Sequence, residues 1–433
     1  MVKMKTQGVY IITYHLVDQR THNLSSRYID FSNATGPQLE LLFQACDPAT
    51  FGVDKKDVID ESYRKAGKID VANFATKFNV ERSGILELIR NELLEGGGAK
   101  KGINVELYKL NVYGEHLTFT HIFYGHSLTL LALFSGKDSF FKPHKDTPRG
   151  PDMFGSLVVV FPAAHEGGAL ILRHGDKDWT FDSAKEVSEQ PQPSIGYIAF
   201  YSDVEHEVAL VKSGFRVTLT YNLYFAADAV SGNPSIAAPI NSAARANESA
   251  FKDALSDLLV DEIVLPNGGT LGFGLHHEYP VKLNTKPELN DLVDRLKGSD
   301  AIIKRVCSQL SLNISLKVMY KGDRYSDITH IMTDKFVDLS QAQEVESVWE
   351  SLSHYGGVAV YKAGTKCPDV ENVYSRNRVK AKPVEIYWAT PLTKVTSLKK
   401  EFIAYGNQAE LSYLYGSVFI VASMGPPGHR TEL

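Results

Sequence analysis

Cysteine is scarce. Cys46, Cys307 and Cys367 are the only three among 433 residues, an odd number scattered along the chain, which excludes a disulfide framework and points to a reducing compartment. An excess of one charge sign is missing as well: 46 Lys and Arg face 51 Asp and Glu, a net charge of −5. The chain therefore lacks the electrostatic footprint of a nucleic-acid reader or a membrane-surface binder, and neither partner is expected. At the N-terminus, MVKMKTQGVYIITYHLVDQRTH offers only a short apolar run before Asp18 and Arg20, too little for a secretory signal. A cytoplasmic or nuclear location is the expectation. Also absent are a glycine-rich phosphate loop, a cysteine cluster, a nucleophile elbow and any internal repeat, which leaves phosphate-loop and nucleophilic-serine chemistry without a carrier.

What is present is an ordinary globular composition, 43% hydrophobic, in a chain long enough for two or three compact units. From Pro37 to about Glu95, PQLELLFQAC, KKDVIDESYRKAG and ERSGILELIRNELLEGGG repeat apolar residues at helical spacing, and the spacing predicts three helices. The period then changes to two. VELYKLNVY, SLVVVFP, GALILRHG, DWTFD, IGYIAFYSD, HEVALV and FRVTLTYNLYF are rich in Val, Ile, Tyr, Phe and Thr, with turn residues between them. Closely spaced strands without intervening helices mean an antiparallel sandwich or barrel. SGNPSIAAPINSAA reads as a linker, and helical patterns mixed with strands follow it. The expected layout is an N-terminal extension over 1–29, a β-rich domain over 30–228, a linker over 229–246 and an α+β domain of unknown role over 247–433.

The chemistry-bearing residues sit in the β-rich part. FKPHKDTPRG places His144 and Asp146 two apart on a predicted strand, where i and i+2 share a face. A second H-x-D, His174-Gly175-Asp176, lies in the turn of RHGDKD, where alternation fails, and reads as structural. His206 follows IAFYSD at the start of another strand. Two imidazoles and one carboxylate form the facial triad that holds non-haem Fe(II) with positions left open; zinc accepts the same donors. Arg216 separates the two metals. HEVALV and FRVTLT read as a hairpin around Lys212-Ser213-Gly214, which sets Leu210 opposite Arg216 on the face of His206, ~13 Å along the strand at ~3.3 Å per residue. A short dicarboxylate such as 2-oxoglutarate would span metal and guanidinium, with a bidentate pair at its far end. Thr218 shares that face as a hydroxyl donor.

H-x-D…H…R in this β context resembles the Fe(II)/2-oxoglutarate-dependent dioxygenases. The strings DESYRKAGKID, ELYKLNVY, FFKPHKDTPRGPDMFGSLVVVFP, HEGGALILRHG, AFYSDVEHEVALV and SGFRVTLTYNLY are similar to the prolyl 4-hydroxylase-like branch, in particular its fungal group, over roughly residues 35–225. The resemblance implies an α+β chain with a double-stranded β-helix (jelly roll) core and N-terminal supporting helices, followed by the C-terminal α+β domain. It implies His144, Asp146 and His206 as iron ligands, Arg216 as the anchor of the 2-oxoglutarate carboxylate, and Tyr108 as a co-substrate contact. Fe(II), 2-oxoglutarate and dioxygen follow as cofactors, with ascorbate admitted. The implied reaction is hydroxylation of a C–H bond in a protein, prolyl or otherwise, or in a small molecule. Collagen hydroxylases of animals carry lysine where Arg216 stands and are secreted, so collagen is not transferred as the substrate. The rival reading is a catalytically silent jelly roll that serves as a binding or scaffold module.

The chain departs from that branch over 115–135, EHLTFTHIFYGHSLTLLALFS, where relatives run almost directly from the VY strand end to KPH. We read this segment as an insertion, either a retained intron translated in frame or a lineage-specific loop. Its His116, His121 and His126 recur every five residues, which matches neither a helix face nor a strand face, so no metal site is assigned there. His165 reads as a turn residue at a pocket rim. His276-His277 reads as a surface or core pair, with no nearby carboxylate at strand spacing apart from Glu278.

Overall fold

The long Glu205–Phe225 strand organises the N-terminal half, because two antiparallel sheets share it. The structure is a computed structural model that describes the chain outside residues 1, 8–9, 18–23, 54–55, 95–101, 115–117, 125–126, 134–138, 189, 227–241, 282–288, 323–327, 338–347, 369–381, 397–412 and 432–433. The main sheet runs Val2–Gln7, Ser194–Tyr201, Met153–Val160, Glu205–Phe225, Ile103–Gly114, Gly67–Asp70 and Asp47–Pro48 in spatial order. The second pairs the early part of the shared strand with Ser139–His144 on one side and Leu170–His174 on the other. Arg64–Lys65 and Lys177–Phe181 extend it. This β-rich arrangement is consistent with the expected jelly roll.

Met153–Val160 and Ser194–Tyr201 are buried at every position. Both faces are therefore covered, which is why MFGSLVVV and SIGYIAFY read as continuous apolar runs. One cover is the sheet Ile11–Val17, Leu24–Asp30 and Phe74–Thr76, beside which Phe31 stacks on Phe161 at 4.5 Å. The first residues also take part, since Val2–Gln7 forms the strand beside Ser194–Tyr201. Two of the three expected helices form. Gly36–Gln44 starts at a capping box of Thr35 and Gln38, with Pro37 in the first turn, and buries Leu39, Leu42 and Phe43. Ile85–Glu92 buries Ile85 and Ile89. KKDVIDESYRKAG is not helical: Lys56–Val58 pairs with Phe51–Val53, and Arg64–Lys65 joins the second sheet. Tertiary contacts override the helical spacing here, as Tyr63 packs on Phe51 at 4.5 Å and on Phe141 at 5.9 Å.

The expected hairpin at Lys212-Ser213-Gly214 does not form either, because the chain runs straight through as one strand of 21 residues. Val208 pairs with Phe141 and Val211 with Ser139, so the long strand spends one residue more than its partner, a bulge. Leu210 is expelled to 39% exposure, contrary to the interior position expected for it. Gly214, with φ +70°, then supplies a second irregularity. A Cβ there would lie 2.2 Å from the Ala164 carbonyl oxygen, so glycine is required. The two faults cancel, and Arg216 and Thr218 return to the interior.

Within the insertion, Thr118–Tyr124 and Ser127–Leu133 pair only with each other among the described strands; His116 and His126 lie outside the described residues. Most of the expected linker does as well. The C-terminal half is a closed barrel whose strands follow the order Gly269–Val281, Val384–Thr390, Val358–Lys362, His330–Thr333, Ile314–Lys321 and Leu414–Met424. Helices Ser242–Val260 and Gly298–Gln309 pack against it, burying Leu255, Ile302 and Val306 in its core. Gly298–Gln309 was not legible in the sequence, and just before it Asn290–Val293 forms a single helical turn.

Candidate metal and co-substrate site

His144 closes its strand directly across from His206, and the pairing sets the two rings 4.2 Å apart. Each Nδ1 bonds the carbonyl two residues earlier, His144 to Lys142 at 2.8 Å and His206 to Val204 at 3.0 Å. A carbonyl only accepts, so both Nδ1 carry a proton, and Nε2 is the atom each ring keeps for a metal. Burial, with His206 adjacent, holds His144 well below the usual imidazole range, in the neutral form that a metal requires. Asp146 reaches the pair from a loop, not from the strand expected, because the strand ends at His144. Its Oδ1 lies 3.8 Å from His206 Nε2, and its Oδ2 accepts the Ser156 hydroxyl.

One cavity between the two sheets is lined by all six residues singled out from the sequence: His144, Asp146, His206, Arg216, Thr218 and Tyr108. Arg216 is 1% exposed. Its Nε donates to Ser183 Oγ at 3.3 Å, and its guanidinium stands 5.5 Å from the Tyr113 ring. Nη2 is buried without a hydrogen-bond partner. Burial pulls this guanidinium down to about 10, an unfavourable state that a carboxylate would relieve. Gly168, at φ +68°, makes room for it: a Cβ would meet Arg216 Cδ at 2.8 Å.

Two cations in the cavity were missed. Arg64 is buried, donating to Thr50 O at 2.6 Å and Asn111 Oδ1 at 3.0 Å. Lys109 sits 4.4 Å from the Tyr108 ring, where burial first and Arg64 second depress it to about 7. The irregularity between Leu107 and Lys109 lets neighbouring side chains, Tyr108 and Lys109, line the same cavity. With Arg64, Lys109 and Arg216 against Asp146 alone, the lining favours a dianion. The only sequence signal was membership of Arg64 and Lys109 in the strings DESYRKAG and ELYKL. His165 lies behind the cavity, its Nε2 3.1 Å from the Ser183 hydroxyl that Arg216 also uses.

A second His–Asp–His group exists. His174, Asp203 and His277 bring one ligand atom each within 4.8 Å of one another. His277 meets a carboxylate that no local spacing could show: Asp203 Oδ2 lies 3.2 Å from its Nδ1, from 74 residues away. Asp203 is already saturated, since Lys297 Nζ lies 2.6 Å from Oδ1 and the Glu278 N–H donates to Oδ2 at 2.9 Å. Burial would raise the Asp203 carboxyl, but Lys297 and His277 override it and hold it well below the carboxylate range. An ammonium in contact with the only carboxylate opposes a metal cation there. The His174-Gly175-Asp176 turn itself stays structural, with Gly175 at φ +59° and Asp176 exposed.

No protein-family model matches the chain, and no curated protein matches it. Among solved structures, an oxidoreductase of the 2OG-Fe(II) oxygenase family from Burkholderia pseudomallei is similar at 19% identity and TM-score 0.18, covering 28% of this chain and 45% of that one. A Pseudomonas putida prolyl-4-hydroxylase is similar at 16% identity and TM-score 0.21, covering 39% and 76%.

Proposed function

We propose that the chain is an Fe(II)- and 2-oxoglutarate-dependent dioxygenase with a double-stranded β-helix core. The observation that carries this reading is the buried Arg216 guanidinium with an unpartnered Nη2, sharing a cavity with two imidazoles that keep Nε2 for a metal and with one carboxylate. His144, Asp146 and His206 would hold the iron. Arg216 would take the distal carboxylate of 2-oxoglutarate, with Thr218 and Tyr108 as hydroxyl donors along the cavity. Iron loaded with 2-oxoglutarate and dioxygen supplies oxidative decarboxylation to succinate and CO₂ and hydroxylation of a C–H bond. The protein's part is to orient both imidazoles, neutralise the co-substrate, and exclude water. The intact donor set and the unpaired arginine weigh against the silent-module reading.

With Arg216 at one end, the substrate would approach from the other. Leu170, Leu172 and His174 lie along one strand, with Leu170 opposite Val208 and Leu172 opposite His206. Leu170 lines the co-substrate cavity, while Leu172 and His174 line a cleft of about 970 Å³ walled by both halves of the chain. Phe200, 4.8 Å from the His206 ring, borders both. A cleft of this size suits a polypeptide side chain with its flanking residues as well as a metabolite. The test is anaerobic titration with Fe(II) and 2-oxoglutarate, followed by succinate release against peptide and metabolite panels. Saturable 2-oxoglutarate binding that requires Fe(II) and disappears in His206→Ala is expected. Metal binding unchanged in folded His206→Ala would overturn the assignment.

A further inference from the structure

The two turns that carry the triad are each gripped by the C-terminal half. Lys145 lies between His144 and Asp146 in the chain, and its Nζ meets Glu278 Oε2 at 2.5 Å, with the Tyr415 ring 6.0 Å away. Asp203 stands three residues before His206 and is fully buried against Lys297 and His277. The grip has a backbone cause. The Gly269–Val281 strand breaks register between Gly274 and Glu278, and the N–H groups released there need acceptors. Asp300 accepts from His276 at 2.9 Å and His277 at 3.0 Å. Glu278 N–H instead donates to Asp203 at 2.9 Å, and Lys297 Nζ closes the loop on the Glu278 carbonyl at 2.8 Å. The bulge is thus completed by a carboxylate from the other half of the molecule, which lies three residues from a candidate ligand.

We propose that the C-terminal barrel sets the geometry of the metal site, with Glu278 acting through Lys145 and Lys297 through Asp203 as positioning residues for the His144–Asp146 turn and for His206. This rests on the metal-site reading above. Three ligands that lie at or beside two turns bind a cation tightly only if the turns are held in place before it arrives. The turns make these contacts with the barrel strand and with Lys297.

The test is anaerobic Co(II) titration of the full-length apoprotein, followed by its visible spectrum. Wild type should bind one equivalent. Folded Glu278→Gln and Asp203→Asn should each bind about tenfold more weakly, the range expected when a group supporting a ligand is lost. Glu278→Asp, which keeps the charge, should recover most of the affinity. Arg295→Gln breaks a tie between the halves at Asp152 that touches neither ligand turn, and should bind as wild type does. Wild-type affinity in folded Glu278→Gln and Asp203→Asn, with binding abolished in His206→Ala, overturns this proposal alone. A second equivalent of Co(II) that only Asp203→Asn removes also overturns it, because Asp203 would then be a ligand. If Asp203→Asn does not fold, Glu278→Gln decides. Affinity unchanged in His206→Ala instead overturns the metal-site reading beneath it.

Discussion

Among the described residues stand two His–Asp–His groups, and they differ in what surrounds the carboxylate. At His144–Asp146–His206 the carboxylate accepts the Ser156 hydroxyl and stands 3.8 Å from the His206 Nε2, and the nearby Arg216 has an unpartnered Nη2. At His174–Asp203–His277 a lysine ammonium and a backbone N–H occupy the carboxylate. Identical donors thus serve opposite ends. A group whose charges are already matched serves as a joint, whereas one set beside an unmatched buried charge is the candidate for ligand binding.

The strongest way to break this contrast is Arg216→Ala. Loss of a charge-assisted bidentate pair costs on the order of 2–4 kcal/mol, about 30- to 1000-fold in 2-oxoglutarate affinity. The effect should appear in the apparent KM for 2-oxoglutarate with Co(II) affinity little changed, and Arg216→Lys should recover only part. Unchanged 2-oxoglutarate dependence would make Arg216 as structural as Lys297.

Lys297→Met probes the other group. It strands the Asp203 carboxylate in the interior, at a cost of about 3–5 kcal/mol for breaking a buried pair. Denaturant unfolding should show it, and adding Asp203→Asn should restore a measurable part. A Lys297→Met protein as stable as wild type would mean that the junction is not electrostatically closed.

A subtler test exploits Lys109, where burial and Arg64 outweigh Asp70, its partner on the neighbouring strand. Its folded value of about 7 lies below its ordinary 10.5, so the folded state binds fewer protons between those values. This group's contribution therefore makes stability rise as pH increases from about 7 towards 10. Thermal melts across that window should steepen with Lys109 present and flatten in Lys109→Met. Equal slopes would mean that the ammonium is solvated or paired. The smallest effect is expected from Asp176→Ala, an exposed residue in the Gly175 turn: Co(II) affinity should stay within error of wild type, and a loss would reinstate the second H-x-D as a ligand pair.

Much of the first site was legible because its residues lie close in sequence or at strand spacing. His144, Asp146, His206, Arg216 and Thr218 do line one cavity, although two of the reasons given for it fail. Asp146 is past the strand end, and Arg216 shares the face of His206 through two cancelling irregularities, not across a hairpin. Even spacing within HEVALVKSGFR survived because the bulge and Gly214 each shift the alternation once. The KKDVIDESYRKAG helix failed for a physical reason, since Tyr63 and Arg64 gain more from Phe51, Phe141 and Asn111 than a helix would offer.

By itself, the sequence determined the donors, the β periodicity and the arginine that a dianion needs, because these reside in residue type and local spacing. Only the tertiary structure decided which carboxylate is tied to a lysine ammonium. Lys297 lies 94 residues from Asp203, and the Glu278 N–H it accompanies is released by a bulge in another strand. Whether a buried carboxylate is satisfied depends on everything within a few ångströms of it, and that neighbourhood comes into being only when the two halves of the chain meet.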